Sequence, residues 1–282
     1  MDNPTQPRGV LGDTSARDYS RKLRLFNAFA GPEIRRAMAR LELRPGMRVL
    51  DAGCGTGEAL GWLAAGVGAE GAVTGIDLAA AHVAAARAVA PPGALVIQAD
   101  LGTLPFVPGS FDLVWSVNTF NHLPDPVEGL RRAASLLRPR GRIALGQSSL
   151  LPDMYFAWDA RLERLVNEAV RRYYRDRYGL DERDLAAVRA LVGQLRAAGL
   201  ANVGAHTVMI ERVAPVRPED ERYLVETIFR DSWGARLRPY LSAQDYAEVQ
   251  RLCDPADPYF ALRRPDFHFL QTFTLAVGEV PP

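Results

Sequence analysis

The chain has 282 residues, of which 48% are hydrophobic and 24% charged, and its formal net charge is +1. That is enough apolar material for one large core with additions, and the charge is too balanced for bulk electrostatics to hold the chain to nucleic acid or an anionic membrane. Two cysteines, Cys54 and Cys253, are too few for a disulfide framework, no apolar run reaches membrane-spanning length, and the first residues lack a signal-peptide pattern, so a cytoplasmic protein is expected.

Residues 1–15 are polar, with proline and glycine, and read as a mobile tail. From Arg17 to Ala30 the apolar Tyr19, Leu23, Phe26 and Phe29 recur at helical spacing, and Pro32 at a first turn predicts a second helix from Pro32 to Leu43. Pro45-Gly46 ends it, and a strand from Arg48 to Ala52 follows. That strand runs into Gly53-Cys54-Gly55-Thr56-Gly57 and then a helix-like stretch from Glu58. Alternating glycines let backbone approach a ligand that side chains would exclude, and a helix opening there aims free N–H groups at it. A dinucleotide loop wants glycines at its first, third and sixth places; here they fall at the first, third and fifth, with Glu58 at the sixth. Asp51 puts a carboxylate beside the loop, awkward for a pyrophosphate and welcome to an ammonium.

The run Val49-Leu50-Asp51-Ala52-Gly53-Cys54-Gly55-Thr56-Gly57 resembles the first motif of the class I S-adenosylmethionine-dependent methyltransferases. The resemblance implies S-adenosyl-L-methionine as cofactor, its methionine end wrapped by Asp51, Ala52, Gly53, Cys54 and Gly55. It also gives Tyr19 two readings, a hydrogen bond to the cofactor carboxylate or plain aromatic packing. An NAD-binding oxidoreductase and a glycine turn without a ligand are the alternatives at this point.

Beyond the loop, strands at Ala72–Ile76, Ala94–Gln98, Phe111–Val117 and Arg142–Gly146 alternate with helices at Ala79–Val89 and Val127–Leu137, with a turn at Pro139-Arg140-Gly141. This order predicts a parallel sheet covered on both faces, binding its ligand beyond the carboxyl ends of the strands. Asp77 closes the second strand, where its carboxylate can accept from both ribose hydroxyls or merely cap the next helix. Asp100 follows the third strand; the resemblance places it at the adenine amine with the Leu101 N–H alongside, capping the following turn being its other reading, and Leu78 and Asn118 join the cofactor set. After the fourth strand, His122-Leu123-Pro124-Asp125-Pro126 resembles the fourth motif of the small-molecule branch akin to quinone-biosynthesis methyltransferases. His122 is the candidate catalytic base, since its ordinary pKa lies near neutrality, and fixing the turn is its alternative role.

Two insertions interrupt the core. Residues 150–180 carry Met154, Tyr155, Phe156 and Trp158 and an Arg/Tyr-rich helix around Tyr173. They read as a substrate-covering lid, with Tyr155, Trp158 and Tyr173 as candidate substrate contacts; helical packing and a nucleic-acid surface are the other readings. A helix from Asp184 to Ala198 and a strand from Val203 to Val213 resume the core, a helical insertion spans 214–265, and a strand from Phe267 to Val277 closes it. Asp257-Pro258-Tyr259-Phe260 is faintly similar to the Asp-Pro-Pro-Tyr motif of nucleobase amino-methyltransferases but lacks the second proline, so it reads as a turn. No metal-ligand spacing is present among the cysteines and histidines.

The expected architecture is therefore α/β: a doubly wound, seven-stranded, mostly parallel Rossmann-like sheet with N-terminal helices and two mainly helical insertions forming a cap. Its parts are a tail and covering helices (1–45), a cofactor-binding core (46–149), a lid (150–180), the core continuation (181–213), a second insertion (214–265) and a closing strand (266–282). The expected activity is methyl transfer to an O, N or C atom of a small-molecule acceptor, with a nucleic-acid methyltransferase using the Arg/Tyr helix as the rival; monomer and homodimer are both open.

Overall fold

A computed structural model of the chain describes residues 19–149, 154–156, 158–179 and 187–282. The expected tail, the residues before Tyr19 in the first helix, and Asp184 to Ala186 at the start of the sixth lie outside the described residues.

Strands β1 (Arg48–Ala52), β2 (Ala72–Asp77), β3 (Leu95–Gln98), β4 (Phe111–Val117), β5 (Leu137–Ser148), β6 (Ala201–Val213) and β7 (His268–Glu279) form one seven-stranded sheet in the order β3-β2-β1-β4-β5-β7-β6. The first five are parallel, and β7 lies antiparallel between β5 and β6, which is the expected closing hairpin. The chain reverses its direction of travel across the sheet between β1 and β4, and the loops leaving those two strands part to form a crevice.

Side chains alternate between the faces of each strand, and both faces are apolar. On one side Val49, Leu113, Trp115 and Leu275 pack with α1 (Ser20–Ala39), α2 (Glu58–Val67) and α3 (Ala80–Val89). On the other, Leu50, Ala52, Val114, Ile143 and Leu145 meet α4 (Pro126–Ser135) and the helix Ala187–Ala197. Each fully buried side chain of this kind contributes about 1.5–3 kcal/mol.

The remaining helices are α5 (Ala160–Tyr178), which precedes the Ala187–Ala197 helix (α6), then α7 (Pro218–Tyr223) running into a π-helical stretch from Leu224 to Trp233, and α8 (Ala243–Cys253). In the π-helical stretch the Ser232 hydroxyl donates to the Thr227 carbonyl at 2.7 Å, and its inner face joins an aromatic cluster of Phe156, Trp158, Phe229, Trp233 and Phe269.

Two expectations need correction. The two N-terminal helices are one, α1, which continues through Gly31-Pro32. An interior proline costs about 3 kcal/mol, but Phe29, Ala30, Ile34 and Ala37 are all buried and draw both halves onto the sheet. Arg212 of β6 adds to this: it donates to the Phe29 carbonyl, contacts the Glu33 carboxylate at 3.2 Å and stands 4.5 Å from the Phe29 ring centre. The second correction concerns Pro139-Arg140-Gly141. It is a bulge within β5, because Phe111 pairs with Leu137 while Leu113 pairs with Arg142.

Candidate functional site

The loop between β1 and α2 is built from left-handed glycines, with φ of +82° at Gly53, +52° at Gly55 and +88° at Gly57. The Gly53 and Cys54 N–H groups both donate to the Ile76 carbonyl at 2.8 Å, which folds the loop against β2. A Cβ at Gly53 would enter the Thr119 side chain, and one at Gly57 would stand 2.8 Å from the Ala86 Cα. Glycine is thus required twice over, by conformation and by space.

Three carboxylates surround this loop. Asp77 accepts from the Gly55 N–H at 3.0 Å on Oδ2 and from the Ala79 N–H at 2.9 Å on Oδ1, with His82 Nδ1 at 3.1 Å from the same Oδ1. Glu58 accepts from the Asn27 amide and the Thr56 hydroxyl, both at 2.7 Å. Asp51 is buried and its Oδ2 has no hydrogen-bond partner among the described residues. Burial first, then the charges of Asp77 and Glu58, push its pKa up to about 8. Burial and the same acids raise the Cys54 thiol, so that side chain is a packing group and no nucleophile. The loop presents backbone N–H groups beside three acids, Asp51 buried and Asp77 and Glu58 half-buried, an arrangement that disfavours a phosphate and favours a cation, which would draw Asp51 into its ionised form.

The other expected cofactor residues stand around the same crevice. Tyr19 is the N-cap of α1, and Leu23 one turn on reaches the loop, 3.1 Å from a Cβ built on Gly55. Asn118, at φ +52°, accepts from the Ser148 N–H at 2.9 Å and ties the tips of β4 and β5 together. Leu78 is exposed after β2. Asp100 is exposed two residues beyond β3, its Oδ1 accepting from the Gly102 N–H at 2.7 Å, and Leu101 is buried beneath it. Ala52 is fully buried, and its carbonyl accepts the Ser116 hydroxyl at 2.6 Å.

His122 is half-buried in a single 3-10 turn, Phe120–His122, where its backbone N–H donates to the Thr119 carbonyl at 2.9 Å. The three candidate substrate contacts occupy three different settings. Trp158 is buried in the aromatic cluster, with its Nε1 lacking a partner among the described residues. Tyr155 is half exposed and bridges by its backbone to Leu270. Tyr173 packs edge-on against Tyr174 and Tyr240, with the Arg236 guanidinium 5.7 Å from its ring centre. Asp257 Oδ1 accepts from the Tyr259 N–H at 2.8 Å, the turn expected there.

Sequence reasoning passed over Thr119 and His82 as site residues. Thr119 and His82 touch Gly53 and Asp77 from 66 and 5 residues away; a histidine in the first turn of the helix after an acidic strand end was a legible cue for the second, whereas nothing local marked the first. Among the described residues no cluster of three or more His, Cys, Asp or Glu side chains is arranged to hold a metal, and no helix is long and apolar enough to cross a membrane.

Residues 50–145 match the family described as a methyltransferase domain. The chain is 35% identical over 150 residues to the 27-O-demethylrifamycin SV methyltransferase of Amycolatopsis mediterranei, covering 51% of this chain and 52% of that one. It is 39% identical over 136 residues to an aklanonic acid methyltransferase of a Streptomyces strain, covering 47% of this chain and 60% of that one. The chain thus spans about half the length of such curated relatives. In three dimensions it is similar to a phosphoethanolamine N-methyltransferase of Haemonchus contortus solved with S-adenosyl-L-methionine, at a TM-score of 0.56 and 17% identity over 98% of this chain and 62% of that one. At that identity the likeness is one of fold.

Proposed function

With residues 50–145 a methyltransferase domain of the class I, Rossmann-like kind as premise, we propose that the whole protein is an S-adenosyl-L-methionine-dependent methyltransferase acting on a small molecule. The observation that carries this is the buried, unpartnered Asp51 Oδ2 beside a glycine loop that Asp77 and Glu58 also face. A carboxylate left orphaned in a protein interior costs free energy, and the ammonium of a methionine tail repays it. A pyrophosphate placed there would meet three acids, which argues against NAD. In this reading Asp51 to Gly55 hold the methionine end, Asp77 and Leu78 the ribose, Asp100 and Leu101 the base, and Asn118 and Tyr19 the edges of the crevice.

When bound, the cofactor supplies an activated methyl: the acceptor's electron pair forms the new bond to carbon while the pair of the breaking carbon–sulfur bond stays on sulfur. The chain's own residues have only to align the acceptor and exclude water. For a neutral hydroxyl acceptor a base is required as well, and His122 at the tip of β4 is the residue proposed for it. In the same reading, residues 46–149, 181–213 and 266–282 make the cofactor-binding core, and 150–180 with 214–265 make the cap. Relatives that act on rifamycin-type and aklanonic acid-type compounds support an acceptor from secondary metabolism. Two free, buried cysteines support a cytoplasmic setting.

Calorimetric titration with S-adenosylmethionine, S-adenosylhomocysteine and NAD tests the proposal. Saturable binding of the first two and none of NAD is expected; the reverse order would overturn it.

A further inference from the structure

His82 stands in the first turn of α3 and takes no part in the chemistry set out above. Its side chain is 6% exposed and that of Asp77 is 13% exposed, so of the two the carboxylate is the one a ligand can reach. The imidazole Nδ1 lies 3.1 Å from Asp77 Oδ1. A carboxylate only accepts, so Nδ1 carries the proton of this contact. Nε2 is buried with no partner among the described residues, and a second proton there would be a desolvated donor with nothing to receive it. The ring is therefore held as its Nδ1–H tautomer. One turn further along, Ala86 lies on the same side of α3, and its Cα stands 2.8 Å from a Cβ built on Gly57. One face of α3 thus backs both the glycine loop and the acid at the tip of β2.

The Ala79 N–H reaches the same oxygen at 2.9 Å, and the Gly55 N–H reaches Oδ2 at 3.0 Å. Of these three donors His82 is the side chain, the one that a substitution can remove without touching the backbone. Three donors on two oxygens fix the orientation of the carboxylate before any ligand arrives. A carboxylate offers about four acceptor positions, so one stays open for a hydroxyl, and an acid already oriented loses little freedom when that hydroxyl binds. Resting on the methyltransferase reading, we propose that His82 is a positioning residue for the cofactor: its Nδ1–H pins Asp77 so that the open acceptor position meets the ribose diol, and the preference of the site for a ribose with both hydroxyls depends on that contact.

The test titrates the full chain with S-adenosylhomocysteine and with its 2′,3′-dideoxy analogue. The wild type should bind the diol roughly tenfold or more tightly. H82F fills the space without a donor; it should bind S-adenosylhomocysteine roughly three- to tenfold more weakly and leave the affinity for the analogue unchanged. H82N, whose amide N–H reaches the position of Nδ1, should restore most of the loss. In a D77A background H82F should change nothing further, as expected of a residue that acts through Asp77. Nitrogen NMR of the wild type, with the His82 signals identified by their absence from H82N, should find the proton on Nδ1 and none on Nε2, and this measurement decides if H82F does not fold. No preference for the diol, an unchanged affinity in H82F, an equal loss on both ligands, a loss that persists in D77A or that H82N does not restore, or a proton on Nε2 alone overturns the proposal while leaving the methyltransferase reading intact. Failure of the wild-type protein to bind S-adenosylhomocysteine at all removes both.

Discussion

The Asp77 carboxylate receives the backbone N–H of Gly55 at 3.0 Å, joining the tip of β2 to the middle of the glycine loop. With Ala79 and His82 on the other oxygen, the acid that sequence reasoning reserved for ribose hydroxyls already accepts up to three hydrogen bonds from protein. A carboxylate has about four acceptor positions, so a ribose has to share Asp77 with the loop or displace one of these donors. D77A should therefore weaken S-adenosylhomocysteine binding by about 1.5–3 kcal/mol and also loosen the loop. D77N keeps one acceptor oxygen and should lose less. An unchanged dissociation constant for D77A would show that Asp77 serves the loop alone.

Gly57 is held at φ +88° with Ala86 backbone against it, whereas Gly61, in α2, has open space where a Cβ would go. G57A should destabilise the protein by roughly 1–3 kcal/mol through strain and overpacking. G61A should stabilise it by roughly 0.5–1 kcal/mol, since alanine gives up less chain entropy on folding. Urea unfolding of the two variants reads both signs, and a stabilising G57A would contradict the loop geometry.

Much of this was legible locally. Strands β1 and β4 have the bounds their apolar runs announce, Arg48–Ala52 and Phe111–Val117, because a buried parallel strand needs little beyond such a run and a breaker at each end. Gly31-Pro32 misled because a local break signal was overridden by burial that only the folded sheet supplies. The contacts Arg212 makes with Glu33 cross 179 residues of sequence, so no window of the chain reports them. The left-handed loop glycines were readable from their spacing, but the neighbours that forbid a Cβ, Thr119 and Ala86, were not.

Arg212 is the centre of a largely buried ionic cluster, 3.2 Å from Glu33 on α1 and 3.2 Å from Asp220 on α7. Removing one member of such a cluster leaves the others charged and desolvated. R212A should cost about 3–5 kcal/mol and free the N-terminal half of α1 from the sheet. Arg161, exposed and paired with Asp245 on the surface, should be replaceable by alanine with little change in melting temperature. Hydrogen exchange that leaves α1 protected in R212A would refute the anchoring role.

His122 separates the two acceptor chemistries. A neutral hydroxyl needs a base, and H122Q should then lower the single-turnover rate by about 10²–10⁴-fold. An acceptor that arrives already ionised needs none. A rate within about tenfold of the wild type and an unchanged pH profile, measured on an acceptor found to turn over, would remove the base role. A large loss in H122Q, with cofactor affinity unaltered, is the outcome that supports it.

The pKa of Asp51, raised to about 8 by burial and then by Asp77 and Glu58, makes the glycine-loop site sensitive to pH. The sign follows from proton counts: between about 4, the ordinary carboxyl value, and about 8 the folded protein holds a proton on Asp51 that the unfolded chain has released. Stability of the ligand-free protein therefore falls as pH rises through that window on account of this residue, and D51N should flatten that part of the slope and be more stable than the wild type near the upper end. A bound ammonium favours the ionised carboxylate, so cofactor binding at neutral pH should expel up to about one proton from the wild type and none from D51N. Titration calorimetry in buffers of different ionisation enthalpy counts that proton directly. Equal proton release by the two proteins would mean that the cation of the cofactor does not meet Asp51.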